Sequence, residues 1–243
     1  MTHRIALVTG GIGTRICAAL AAAGRTLIAV DLPATDERLE RFETHTKGLD
    51  VHFSASDVAD PAACAQLVDG LRQRFGTLDI VVNNAGITRD STLRKMDRSQ
   101  WDAVLDVNLG SAFNLCHAAI DGMLSTGFGR IVNISSVSGQ TGNFGQTNYA
   151  AAKAGLHGLT MSLAREVAAK GVTVNSVSPG YIETPMTAAM PPPVLEKIKA
   201  SIPVGRMGLP DDIARAVAFL TDDAASYITG ANLPVNGGLF MSF

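Results

Sequence analysis

Tyr149 and Lys153 stand four residues apart in an alanine-rich stretch that reads as a helix from Asn148 onward. That spacing puts both side chains on one helix face, one turn apart. A free phenol ionises near a pKa of about 10, so a tyrosine alone is a poor acid or base at neutral pH. An ammonium one turn away stabilises the phenolate and lowers that value. Ser136 lies thirteen residues before Tyr149, where the apolar run Ile131–Ile134 gives way to a glycine-rich loop. Catalytic groups of open α/β sheets commonly sit at such strand ends. A hydroxyl there, opposite the phenol, could hold a carbonyl or alkoxide oxygen between the two. The trio would then exchange a proton with a C=O/CH–OH pair. A lone tyrosine–lysine pair at this spacing is more often a core ring and a surface amine, so the reading needs support from the rest of the chain.

The elements that must position this trio alternate along the sequence. Apolar strand runs occur at Ile5–Val8, Leu27–Val30, Val51–Phe53, Ile80–Val82, Ile131–Ile134, Val172–Val177 and Asn232–Val235. Between them lie helical patterns at Ile16–Ala23, Asp36–His45, Pro61–Phe75, Ser99–Leu124 with Asn108 inside, the Tyr149 helix, and Asp211–Leu220. Repeated strand–helix units with continuous apolar strands predict a parallel sheet covered on both faces. The expected architecture is a three-layer, doubly wound α/β Rossmann fold, one domain over residues 1–243. The stretch 183–201, with prolines at 191, 192 and 193, breaks the alternation and reads as a mobile substrate flap.

Composition narrows the function classes. The 243 residues are 47% hydrophobic and 17% charged, with a net charge of −2. That balance gives no reason to expect nucleic acid or an anionic membrane as partner. Cys17, Cys64 and Cys116 lack metal-ligand spacing and are odd in number, which predicts a reducing, cytoplasmic setting, no disulfides and no metal site. No apolar run looks long enough to span a bilayer, and no room for a signal peptide precedes the first strand.

A cofactor end is also visible. Gly10, Gly11, Ile12 and Gly13 follow the first strand and open a helix, where backbone N–H groups can approach a pyrophosphate. Alone this tract is weak, since glycine turns between strand and helix are common. Asp31 closes the second strand eighteen positions beyond Gly13 and can hydrogen-bond adenosine ribose hydroxyls. Its charge would repel a 2′-phosphate, which favours NADH, with NADPH as the alternative.

Taken together, Ser136, Tyr149-x-x-x-Lys153, Asn83-Asn84-Ala85-Gly86, Asn108 and Pro179-Gly180 resemble the short-chain dehydrogenase/reductases over essentially the whole chain. The resemblance implies that Ser136 holds the substrate oxygen and Tyr149 donates the proton. Lys153 would bind the nicotinamide ribose and lower the tyrosine pKa, and Asn108 would hold a water in a proton relay. It further implies that Asn84, Ala85 and Gly86 line the adenosine ribose, that Asp57 and Val58 meet the adenine, and that Pro179, Gly180, Ile182 and Thr184 flank the nicotinamide. A homotetramer is implied as well, built through the Ser99–Leu124 and Asn148–Ala169 helices and the last strand. The small residues Ala150, Ala154 and Gly158 suit close helix approach there, or packing on the sheet. One departure stands out. The family tract is Thr-Gly-x-x-x-Gly-x-Gly, and here three residues are missing between Gly10 and Gly11. Read as it stands, the tract makes a tighter pyrophosphate turn and loses a position that often carries a basic residue in NADPH-preferring members.

Within that family, the stretches Asn83–Met96, Phe144–Tyr149 and Val235–Gly238 resemble acetoacetyl-CoA reductases and 3-oxoacyl-(acyl-carrier-protein) reductases. Acidic carrier proteins dock on basic patches, yet Ser125–Arg130 carries Arg130 as its one basic residue. The resemblance therefore leans toward an acyl-CoA thioester, with Asp90, Phe144, Gln146 and Tyr181 joining Ser136 and Tyr149 in the substrate pocket. The implied reaction reduces acetoacetyl-CoA to (R)-3-hydroxybutyryl-CoA, a precursor of polyhydroxybutyrate. The alternatives are the carrier-protein substrate, and a non-catalytic dinucleotide-binding subunit with a shortened glycine loop.

Overall fold

Each continuous apolar run becomes a strand: β1 (Arg4–Thr9), β2 (Arg25–Asp31), β3 (Val51–Ala55), β4 (Ile80–Asn83), β5 (Gly129–Ile134), β6 (Val172–Pro179) and β7 (Asn232–Val235). The structure is a computed structural model that describes residues 3–10, 14–184, 187 and 191–241. The strands pair in parallel in the order β3-β2-β1-β4-β5-β6-β7. The order reverses between β1 and β4, so their carboxyl ends diverge and leave a crevice, the usual ligand position in a doubly wound sheet.

The helices are α1 (Thr14–Ala22), α2 (Asp36–Thr46), α3 (Pro61–Phe75), α4 (Arg98–Leu105), α5 (Ser111–Thr126), α6 (Ser138–Thr141), α7 (Thr147–Val167), α8 (Pro192–Ser201) and α9 (Pro210–Leu220). They cover both faces. Leu7, Val81, Ile131 and Val174 join Val68, Leu115 and Ala164 in one core. Ala6, Val8, Val82 and Val132 join Leu20, Ile213 and Val217 in the other. Neighbouring β1 residues thus feed opposite cores, as strand alternation requires. Local chemistry sets the helix ends. Asp60 caps α3 by accepting from the Ala62 amide at 2.8 Å, and Gly76 ends it at φ 80°.

Three expectations change. The predicted helix over Ser99–Leu124 is broken by a π-turn at Asp106–Gly110, which carries Asn108. Counted as one helical span, Arg98–Thr126 is long and apolar enough to cross a membrane by length and composition, contrary to the reading of the sequence. Its Val104, Leu115, Ala119 and Met123 are buried in the body of the protein. Finally, the expected flap at 183–201 is not irregular throughout. Residues 192–201 form α8, while 185, 186 and 188–190 lie outside the described residues.

The small-residue stripe of α7 does not pack on the sheet. Ala154 and Gly158 face outward, and Ala152, Lys153, Leu156 and Thr160 face inward.

Candidate active site

The carboxyl ends of β4, β5 and β6 converge on the start of α7. Asn148, fully buried, fixes that start. Its side-chain amide donates to the carbonyls of Arg89 and Gln100 at 3.1 Å each, and its oxygen accepts from the Tyr149 amide at 2.8 Å. One side chain thus ties the helix to the loop after β4 and to α4. The sequence reading missed Asn148, because its role depends on segments about fifty residues away.

Tyr149 and Lys153 lie on the inner face of α7, as their spacing predicts. The Lys153 ammonium sits 5.6 Å from the centre of the Tyr149 ring and donates to the Ile134 carbonyl at 2.8 Å. Ser136 follows two residues later on the same strand end. Its hydroxyl faces the Tyr149 phenol closely enough to hold the phenol's pKa down and accepts from the Ser138 amide at 3.1 Å. The expected trio is therefore assembled.

Its acidities depart from the simple expectation. Burial raises the Tyr149 phenol above its ordinary value; the Ser136 hydroxyl opposes the rise and the Asp90 charge adds to it. Burial also lowers Lys153 to about 8. The predicted depression of the phenol by Lys153 does not dominate, since desolvation disfavours both charged forms. What the pair has instead is a buried amine that can lose its proton near neutral pH.

Asn108 stands beside the pair. Its amide nitrogen donates to the carbonyls of Ile87 and Val104 at 2.9 Å each. Its Oδ1 is buried and has no partner among the described residues. A Cβ placed on Gly86 would lie 2.6 Å from that Oδ1 and 3.5 Å from Lys153 Nζ. The missing side chain of Gly86 therefore keeps open a polar gap between an acceptor and a donor. Such a gap suits an ordered water.

At the cofactor end, Gly10 adopts φ 76° and presses on β4's exit, where a Cβ would meet Ala85 Cα at 2.3 Å. Only glycine fits there. Thr9 Oγ1 accepts from the Asn84 and Ala85 amides at 3.1 and 3.0 Å. The Asn84 side-chain amide donates to the Thr9 and Gly10 carbonyls at 2.9 Å each. Asn84 thus braces the β1 turn, and its amide hydrogens are committed to that brace. Gly11, Ile12 and Gly13 lie outside the described residues. Asp31 ends β2 at the same edge, with Oδ1 accepting from the Leu32 amide at 2.8 Å. Asp57 caps a turn through the Ala59 amide at 2.9 Å, and Val58 is buried beneath it.

Across the crevice, Val137 donates to the Pro179 carbonyl at 2.8 Å, and Gly180 donates to Val235 at 3.1 Å. A Cβ on Gly180 would meet Asn236 Cα at 2.9 Å. Ile182 bridges to Gly208, and the exposed Thr184 donates its amide to Thr187 Oγ1 at 2.8 Å. A crevice at the switch point, a glycine cradle against Ala85 and an acid closing β2 fit a dinucleotide.

The expected substrate residues have different surroundings. Gln146 Nε2 donates to Asp90 Oδ2 at 2.9 Å, and Oε1 accepts from Asn143 and Ser138 at 2.9 and 3.2 Å. Asp90 and Gln146 therefore strap two loops together at the rim. Phe144, 90% exposed, stands above them. Tyr181 borders a cavity of about 300 Å³ shared with Ile182, Arg206 and Asn236.

A family model described as enoyl-(acyl carrier protein) reductase matches residues 6–240. The chain is similar to the acetoacetyl-CoA reductase of Allochromatium vinosum, at 53% identity over 98% of this chain and 99% of that protein. It is equally similar, at 53%, to the acetoacetyl-CoA reductase of Cupriavidus necator, over 99% of this chain and 100% of that protein. The 3-oxoacyl-(acyl-carrier-protein) reductase of Escherichia coli is 47% identical over 98% of each chain.

Proposed function

From the premise that this chain belongs to the short-chain dehydrogenase/reductase family and is an NAD(P)-dependent oxidoreductase, we propose that it reduces acetoacetyl-CoA to (R)-3-hydroxybutyryl-CoA. The dinucleotide supplies the hydride when bound. The chain's own residues supply the rest. Ser136 and Tyr149 hold the ketone oxygen, and Tyr149 gives it a proton as it becomes an alkoxide. Lys153 stabilises the phenolate left behind. Asn108 Oδ1 accepts from the water that returns a proton through Lys153. Gly10, Ala85, Gly86 and Asp31 hold the adenosine half, with Asp31 favouring NADH; Pro179, Gly180 and Ile182 flank the nicotinamide.

The observation that carries the CoA reading over the carrier-protein reading concerns Arg130. The one basic residue of Ser125–Arg130 is 2% exposed. Its guanidinium bonds the carbonyls of Gly129, Gly171, Asp222 and Asp223. It offers no charge to an acidic carrier. The outward-facing Ala154 and Gly158 support the homotetramer reading, and the three free, buried cysteines suit a cytoplasmic protein.

The test is a set of initial rates with acetoacetyl-CoA and with acetoacetyl-carrier protein, each with NADH and NADPH. Faster turnover of the CoA thioester with NADH is expected. Preference for the carrier protein would overturn the substrate assignment, and preference for NADPH would overturn the role of Asp31.

A further inference from the structure

The end of β5 contacts α7 at three successive residues, and the reaction uses two of those contacts directly. The Ile134 carbonyl accepts from Lys153 Nζ, and the Ser136 hydroxyl faces the Tyr149 phenol and holds its pKa down. Between them lies Ser135, 3% exposed, whose hydroxyl donates to the backbone carbonyl of Lys153 at 2.8 Å. That carbonyl sits inside α7, where a helix needs no help from a side chain. Ser135 is itself anchored to β6, its amide donating to the Val177 carbonyl at 2.7 Å.

A second contact acts on the same point of the helix. A Cβ on Gly139, in α6, would lie 2.8 Å from the Lys153 carbonyl carbon and 2.9 Å from the Ala154 nitrogen. α6 is therefore pressed against the α7 backbone at Lys153, and no side chain fits between them.

We propose that Ser135 is a positioning residue for the reduction, with Gly139 as its counterpart: together they clamp the α7 backbone at Lys153. The clamp fixes the depth of α7 against β5, and with it the distance of Lys153 Nζ from Ile134 and of Tyr149 from Ser136. It holds the lysine from both ends, by its carbonyl and by its ammonium. Proton transfer is sensitive to such placement, since a displacement of about 1 Å can cost about a hundredfold in rate. This inference rests on the reductase reading of the same site.

The experiment compares Ser135→Ala, Ser135→Thr and Gly139→Ala with the wild type. Ser135→Ala is expected to lower kcat by about tenfold while KM for acetoacetyl-CoA stays within about twofold. Looser packing admits water around Lys153, so the alkaline limb of the kcat–pH profile moves upward in Ser135→Ala. Ser135→Thr keeps the hydroxyl and restores both the rate and the limb. Gly139→Ala gives the Ser135→Ala signature by pushing the helix away, and stands in for it where Ser135→Ala does not fold.

A tyrosinate absorbance titration, with Tyr149→Phe to assign the signal, reads the same displacement without substrate. If the wild type fails to reduce acetoacetyl-CoA, the substrate reading falls, and this titration still tests the clamp. An unchanged kcat, limb and tyrosinate titration in Ser135→Ala would overturn the proposal. So would a loss of thermal stability alone, because a purely structural serine leaves the titrations where they were.

Discussion

The two halves of the carboxyl edge use their polar side chains in opposite ways. On the β1–β4 side, Thr9 and Asn84 satisfy one another's backbone, and their donors and acceptors are committed to the turn at Gly10. On the β5–α7 side, capacity is left open. Among the described residues, Asn108 Oδ1 has no partner and Lys153 keeps a buried ammonium on a single carbonyl. The first half is architecture that lets backbone approach a ligand. The second is chemistry held ready at a cost in desolvation. Motif residues of one family therefore do different work, and their hydrogen-bond partners tell which.

The largest contrast is expected at Lys153. Lys153→Met removes the charge that stabilises a Tyr149 phenolate and should lower kcat by about a thousandfold or more. The same change removes a buried ammonium whose pKa falls to about 8. Below that pH the folded protein carries a charge it holds less readily than the unfolded chain does. The penalty is full at neutral pH and fades as pH rises from about 8 toward the ordinary lysine value. Lys153→Met should therefore match or exceed the wild type in Tm at pH 7, measured by thermal melts. A large loss of Tm would mean that Lys153 is chiefly structural.

pH sharpens the same point. Reduction needs Lys153 protonated, so its rate should fall by about tenfold per unit once pH exceeds about 8. The pH–rate profile of kcat measures this directly, and a flat profile through that range would contradict the assignment.

On the architectural side the signature reverses. Asn84→Ala leaves two backbone carbonyls at the Gly10 turn without donors, a loss of about 1–3 kcal/mol. Tm and cofactor affinity should drop together, while turnover at saturating cofactor changes little. The smallest effect belongs to Asp31→Ala. It should weaken NADH and improve NADPH by several-fold each, on the order of 1 kcal/mol. Steady-state KM values for the two cofactors read it.

Much of this site is legible in the sequence, for definite reasons. A helix places residues four apart on one face, so Tyr149 and Lys153 can be paired without coordinates. Strand ends mark the carboxyl edge, so Ser136 and Asp31 can be placed as well. What escapes is everything set by long-range approach. The π-turn carries Asn108, whose amide reaches the distant Ile87 carbonyl, and has no local sequence signal. Asn148 and Ser135 look like ordinary polar residues until their partners arrive from other elements. The raised Tyr149 phenol escapes for the same reason, since desolvation depends on the whole surround and outweighs the one neighbour that the spacing reveals.

The most direct test of the account is Tyr149→Phe, assayed for acetoacetyl-CoA reduction and for cofactor binding by fluorescence titration on the same preparation. Turnover is expected to fall by about a thousandfold or more, with the cofactor Kd within about threefold of the wild type. Near-normal turnover in Tyr149→Phe would contradict that role, because Tyr149 is the group assigned to deliver the proton.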